Sequence, residues 1–177
     1  MTKKIFSGKF GMICFGMLVS VLMLSSCKKD DTGGPSGSAA EGTIQASVNG
    51  KTVTSLKIAT FANRISGNLA IQGNTGGTSS EAFSLLITSE NGVGTYPIGG
   101  GANIANIAAF IKTEIDLSNP GSPKTETWQA PYDATQAGEI KITEISTTNV
   151  KGTFYFKAKR SDGNIVDVTN GSFNINF

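Results

Sequence analysis

The sequence predicts an all-β domain, and three observations carry that prediction. Apolar residues recur at every second position in several separate stretches, Asn-Gly and Asp-Gly pairs punctuate them, and nothing after residue 41 keeps a 3.6-residue period for long. Period two places alternate side chains on one face of an extended chain, so each stretch reads as a strand with one buried side.

In chain order, Ile44, Ala46 and Val48 form the first inward row. Asn49-Gly50, a pair that tolerates positive φ, closes a hairpin onto a second strand expected over 51–62. Leu69 and Ile71 give the next strand, 73–80 a longer loop, and Phe83, Leu85 and Ile87 another inward row. Strands are expected over 95–98 and 104–113, separated by a bent corner at Gly99-Gly100-Gly101 and followed by a loop over 119–124. Over 139–145, Glu139 and Glu144 flank the alternating Ile140 and Ile142 and belong to an outward face. Phe154, Phe156 and Ala158 precede a hairpin at Asp162-Gly163, and Phe173, Ile175 and Phe177 end the chain pointing inward. Eight to ten short strands in series favour an antiparallel β-sandwich, with an up-and-down β-barrel as the alternative.

The first 31 residues carry an address. Lys3, Lys4 and Lys9 make a basic start, and residues 10–24 form an apolar run of 15 residues, shorter than the roughly 20 that a membrane span needs. Small residues, Ser25 and Ser26, then precede Cys27. The stretch resembles a lipobox, which implies cleavage before Cys27 and acylation of that cysteine; several acyl chains hold a protein durably where one does not. An ordinary secretory signal followed by a free cysteine, or an uncleaved anchor, is the plainer alternative. Lys28 rather than aspartate follows the cysteine, which favours the outer membrane, and Lys28-Lys29-Asp30-Asp31 resembles the surface-export signal of Bacteroidota lipoproteins. The chain therefore divides into a lipoprotein signal peptide (1–26), a lipidated cysteine with a flexible tether (27–41) and a single all-β domain (42–177). The tether has no large apolar residue to repay ordering; its 14 residues after Cys27 span on the order of 20 Å as a coil and ~45 Å if straight.

Removing three signal lysines from the 15 basic side chains leaves twelve against 13 acidic ones, a net charge of −1. With no run of Lys or Arg, nucleic acid has no electrostatic footprint to bind. Of two cysteines, Cys14 lies in the signal and Cys27 is the lipidation site, so the domain folds without an internal disulfide. There is no histidine, which removes Ser-His-Asp triads, Cys-His pairs and histidine-ligated metals. No cofactor or metal is expected, and Asp162-Gly163-Asn164 has too few carboxylates for calcium. Carboxylate pairs for glycoside hydrolysis would have to come from Glu81, Glu90, Glu114, Asp116, Glu126, Asp133, Glu139 and Glu144, most of them on expected solvated faces or loops.

The most suggestive segment is Thr127-Trp128-Gln129-Ala130-Pro131-Tyr132-Asp133. Trp128 and Tyr132 offer flat faces for a pyranose, Gln129 and Asp133 offer hydrogen bonds, and Pro131 stiffens the loop. The competing reading makes Trp128 a cap on one end of the core with Tyr132 beside it.

Several phrases together resemble a family of Bacteroidota lipoproteins with a C-terminal all-β domain of unknown function. They are Val48-Asn49-Gly50-Lys51, Gly94-Thr95-Tyr96-Pro97-Ile98, Gly138-Glu139-Ile140-Lys141-Ile142-Thr143, Val150-Lys151-Gly152-Thr153-Phe154-Tyr155-Phe156 and Val168-Thr169-Asn170-Gly171-Ser172-Phe173-Asn174-Ile175. The resemblance implies an extracytoplasmic, mostly β lipoprotein and carries over no catalytic or binding residue. The expected function is that of a non-enzymatic interaction or accessory module of the cell envelope, held on the outer membrane through Cys27 and exposed at the cell surface. Its partners would be the membrane, through the lipid, and an envelope protein or glycan. A glycan-binding module using Trp128 and Tyr132 is the alternative, and a carboxylate-based polysaccharide hydrolase is a more distant one.

Overall fold

The computed structural model describes residues 38–101 and 105–177. The expected signal peptide, Cys27, the tether up to residue 37 and the expected strand start at Ile104 lie outside the described residues. Eleven strands follow one another: β1 (Thr43–Val48), β2 (Lys51–Thr54), β3 (Thr60–Ile65), β4 (Asn68–Asn74), β5 (Ser79–Ile87), β6 (Gly94–Gly99), β7 (Ile107–Glu114), β8 (Lys124–Ala130), β9 (Gln136–Ile145), β10 (Asn149–Lys159) and β11 (Ile165–Asn176). The only helical element among the described residues is a single 3-10 turn, Lys57–Ala59.

The fold is all-β and every strand pair is antiparallel. The strands form one sheet in the order β2-β1-β11-β10-β8-β7-β5-β4-β3, with β9 and β6 branching from β10. The branch arises because β10 is long: residues 150–156 pair with β9, while Lys159 near the other end meets Gln129 of β8. From this corner the sheet curls into a half-barrel, so that its two halves face each other across the core as sandwich layers do. Ser55 helps draw the curl together: its Oγ accepts from the Ile44 N–H at 2.8 Å, and the Leu56 N–H donates to the Asn74 carbonyl at 2.9 Å.

The alternating rows fill the interior as expected. Ile44, Ala46, Val48, Leu69, Ile71, Phe83, Leu85, Ile87, Phe154, Phe156, Ala158, Phe173 and Ile175 are all buried. Their rings join into a chain, with Phe83 of β5 lying 5.7 Å from Phe110 of β7 and 5.7 Å from Phe154 of β10. Since β5 and β10 belong to opposite halves, the second contact ties the curl across the middle. Phe177 departs from the expectation: it lies beyond the end of β11 and is exposed, because no neighbouring strand extends far enough to cover it.

Three further expectations are corrected. The strand expected over 51–62 is broken at Ser55–Ala59, where the chain leaves β2 and turns into β3. A Ser66-Gly67 turn, with φ of 51° and 78°, closes β3 onto β4 in the same manner as Asn49-Gly50, with φ of 49° and 85°, closes β1 onto β2. Asp162-Gly163 lies inside a wider turn in which the Arg160 N–H donates to the Asn164 carbonyl at 2.8 Å. Residues 124–130, expected to be the end of one loop and the start of another, form β8.

Candidate functional site

Trp128 sits in β8, where Glu126, Trp128 and Ala130 form the inward row and Thr127 and Gln129 face out. Its side chain is only 5% exposed. Phe110 lies 5.7 Å from the ring, the Arg160 guanidinium stands 5.0 Å from it, and the indole N–H donates to Asn164 Oδ1 at 2.8 Å. The residue therefore caps the core, and no face of the indole is free for a sugar. Tyr132 is exposed beyond Pro131, with Lys159 Nζ 5.9 Å from its ring. Gln129 faces away from Trp128, and Asp133 is occupied in its own turn, accepting from the Thr135 N–H at 2.9 Å and hydroxyl at 2.5 Å. These four side chains do not converge on one surface.

The arginine that covers Trp128 is itself held by acids. Arg160 meets Glu126 at 2.6 Å, and its Nε donates to Asp162 Oδ1 at 3.0 Å. The Arg160 hydrogen bond, then that of the Asn164 N–H, hold the Asp162 carboxyl at about 2. Asp162 first, through its hydrogen bond, and then Glu126 push the guanidinium further up. An unfolded aspartate titrates near ~3.9, so this turn contributes its full stability above that pH and loses it as the pH falls through about 2. A carboxyl NMR titration is expected to place the Asp162 midpoint at about 2, with the turn opening only at the acid end; an ordinary aspartate midpoint near ~3.9 would contradict the contact.

The remaining carboxylates are mostly committed. Glu81 pairs with Lys51 and Lys112, Glu126 with Lys124 and Arg160, and Glu144 with Lys151. Glu90 is buried: its Oε2 lies 2.6 Å from Arg64 Nε, and its Oε1 accepts from the Gly92 N–H. The backbone N–H of Glu90 reaches the Gly67 carbonyl at 2.6 Å, so this residue fastens the β3–β4 turn to the loop before β6. Asp116, like Asp133, caps a turn; hydrogen bonds from Ser118 and Thr135 respectively hold the two carboxyls below the ordinary aspartate range. Glu114 ends β7 in solvent, and Glu139 lines a groove beside Tyr155 with no second carboxylate in it. Among the described residues no three His, Cys, Asp or Glu side chains come together as a metal site.

Two surfaces do have the makings of binding sites. The first is the free edge of β3, which pairs only with β4. The two-residue turn makes Ile65 and Asn68 a hydrogen-bonded pair, so Phe61, Asn63 and Ile65 spend their backbone groups on β4, whereas Ala62 and Arg64 direct theirs to the open side. Leading into this edge and along it, Leu56, Ile58, Phe61 and Ile65 are exposed, Ile58 at 95%, Phe61 at 53% and Ile65 at 62%. A groove of about 330 Å³ follows the edge, lined by Ala62, Asn63, Arg64, Ser146, Thr147 and Phe177.

The second surface is the outer face of β9, β10 and β11, where a groove of about 550 Å³ runs over Tyr155. Two β-bulges shape it. Phe154 pairs with Gly171 and Phe156 with Val168, so Thr169 and Asn170 both stand opposite Tyr155; on the other side, Thr143 is the extra residue where β9 passes Lys151 and Gly152. Asn170 takes φ of 52°, in the left-handed region that asparagine enters more readily than most residues with a side chain. Sequence reasoning read this whole stretch as inward and outward strand rows, and nothing in the pattern marks a bulge.

Residues 40–175 match the model of a family described as a domain of unknown function, DUF6252. No curated protein and no solved structure matches the chain.

Proposed function

Because the chain belongs to the DUF6252 family, whose description assigns no activity, we propose a role from its own surfaces. The protein is a non-enzymatic lipoprotein, acylated on Cys27 and held on the outer membrane at the cell surface, that docks a protein partner of the envelope along the free edge of β3. The address rests on the basic start, short apolar run and cysteine of residues 1–31.

The observation that carries the docking reading is the exposure of Phe61 and Ile65 on an edge strand that has backbone hydrogen bonds left to give. Proteins ordinarily blunt such edges with charge, proline or a covering segment, because a long apolar edge invites pairing with another chain. Here the one charged side chain on the strand, Arg64, is turned to the buried Glu90. An extended segment with alternating apolar residues fits: its backbone would pair with Ala62 and Arg64, and its side chains would meet Phe61 and Ile65.

Affinity purification of the detergent-solubilised, full-length protein tests this. A discrete protein partner is expected with the wild type, and its recovery is expected to fall at least tenfold in the Phe61→Asp, Ile65→Asp double variant. The melting temperature is expected to change little, since both side chains are already largely in water. Recovery of the wild type as an isolated monomer, or equal recovery of the partner by the variant, would overturn the docking surface. Protease digestion of intact cells tests the address separately, with loss of the domain expected while a periplasmic control survives.

A further inference from the structure

We infer that the groove over Tyr155 is a second binding site, and that it takes a neutral glycan with a pyranose ring stacked on Tyr155. This rests on the reading of the chain as a binding module but not on the docking edge of β3.

Tyr155 is 49% exposed on the outer face, with a bulge on either side of it. Around it the groove gathers Glu139 and Lys141 from β9, Thr153 from β10, and Thr169 and Asn170 from β11. Glu139 is the cross-strand partner of Tyr155, and Lys141 that of Thr153. The charges of neighbouring strands are largely spent on one another, as in Lys151–Glu144 and Lys157–Asp167, yet among the described residues neither Glu139 nor Lys141 has an ion-pair partner. The side chains of Asn170, Thr153 and Thr169 likewise have no hydrogen bond among the described residues.

The ligand must therefore use an apolar ring face together with unspent donors and acceptors of both signs. A sugar does this: its C–H face lies on the tyrosine, and each hydroxyl can donate to Glu139 and accept from Lys141 or Asn170. Glu139 and Lys141 are two residues apart on a strand, about 6.6 Å, close to the breadth of a pyranose ring. Phosphate and other anionic ligands are disfavoured, because the single lysine is offset by the glutamate. The volume lies within the ~300–1,000 Å³ usual for small-molecule sites, enough for a short oligosaccharide segment.

Affinity electrophoresis of the full-length protein in detergent, through gels containing dextran, mannan, galactan or xylan, tests the site. Retardation is expected in at least one of them, with apparent affinity at least tenfold lower for Tyr155→Ala and mostly kept by Tyr155→Phe, which retains the ring. Circular dichroism is expected to show both variants folded, because Tyr155 lies on the surface. The Phe61→Asp, Ile65→Asp variant is expected to be retarded like the wild type, so the glycan site and the docking edge fail or stand separately. Absence of retardation in all four gels, or retardation that Tyr155→Ala leaves unchanged, would overturn the proposal.

Discussion

Replacing Trp128 with alanine is expected to destabilise the domain by about 3–5 kcal/mol, the cost usual for emptying a large aromatic site in a core. Three losses combine. The cavity opens beside Phe110, the Asn164 Oδ1 acceptor loses its indole partner, and Arg160 loses the ring over which its guanidinium stands. For a domain of this length each kcal/mol moves the melting temperature by roughly 3–4 °C, so a fall on the order of 10–20 °C is expected. Trp128→Phe should cost less, because it keeps the packing and loses only the hydrogen bond and part of the volume. Since Trp128 is the only tryptophan, circular dichroism rather than fluorescence must follow unfolding. An alanine variant that melts with the wild type but loses a ligand would contradict the structural role and return Trp128 to a binding surface.

Gly152→Ala is the second large effect. Gly152 sits on β10 between β9 and β11, where a β-carbon would collide with the Lys141 carbonyl oxygen and the Phe173 ring. Neither neighbour can yield cheaply. The carbonyl belongs to the β9 backbone, and Phe173 is a buried ring packed 6.4 Å from Phe154. A loss of about 3 kcal/mol is expected, at the upper end of ordinary overpacking because the ring and the backbone must both shift. Gly121→Ala supplies the contrast: nothing lies near its added carbon, and an effect within ~1 kcal/mol, stabilising if anything, is expected. Equal melting temperatures for the two variants would contradict the tight contact at Gly152.

The class of the fold was legible in single residues. Phe83, Leu85 and Ile87, or Phe154, Phe156 and Ala158, announce a one-sided strand by alternation, and all six are buried. What alternation does not encode is where a strand stops. Nothing apolar marks the break after Thr54, where Ser55 is held by hydrogen bonds to Ile44 on the neighbouring strand β1. In β8 the alternation is present but weaker: Glu126, Trp128 and Ala130 alternate with Thr125, Thr127 and Gln129, and the inward row opens on a carboxylate and not on an apolar side chain. Trp128 illustrates the same limit for function. A lone tryptophan among amides and acids has one sequence signature, whether its ring faces a sugar or Phe110, and only the alternation within β8 separates the two. The bulges around Tyr155 had no signal in the pattern, because they depend on the register between strands, which one sequence does not fix.

The central claim, that the edge of β3 is where this protein meets a partner, is tested most directly by site-specific photocrosslinking in intact cells. A photoreactive amino acid is placed at Phe61, which lies exposed along the free edge, and as a control at Thr125, which is exposed on the outer side of β8. The account predicts one discrete crosslinked protein from position 61 and none from position 125. Crosslinking from neither position, or the same products from both, would contradict it.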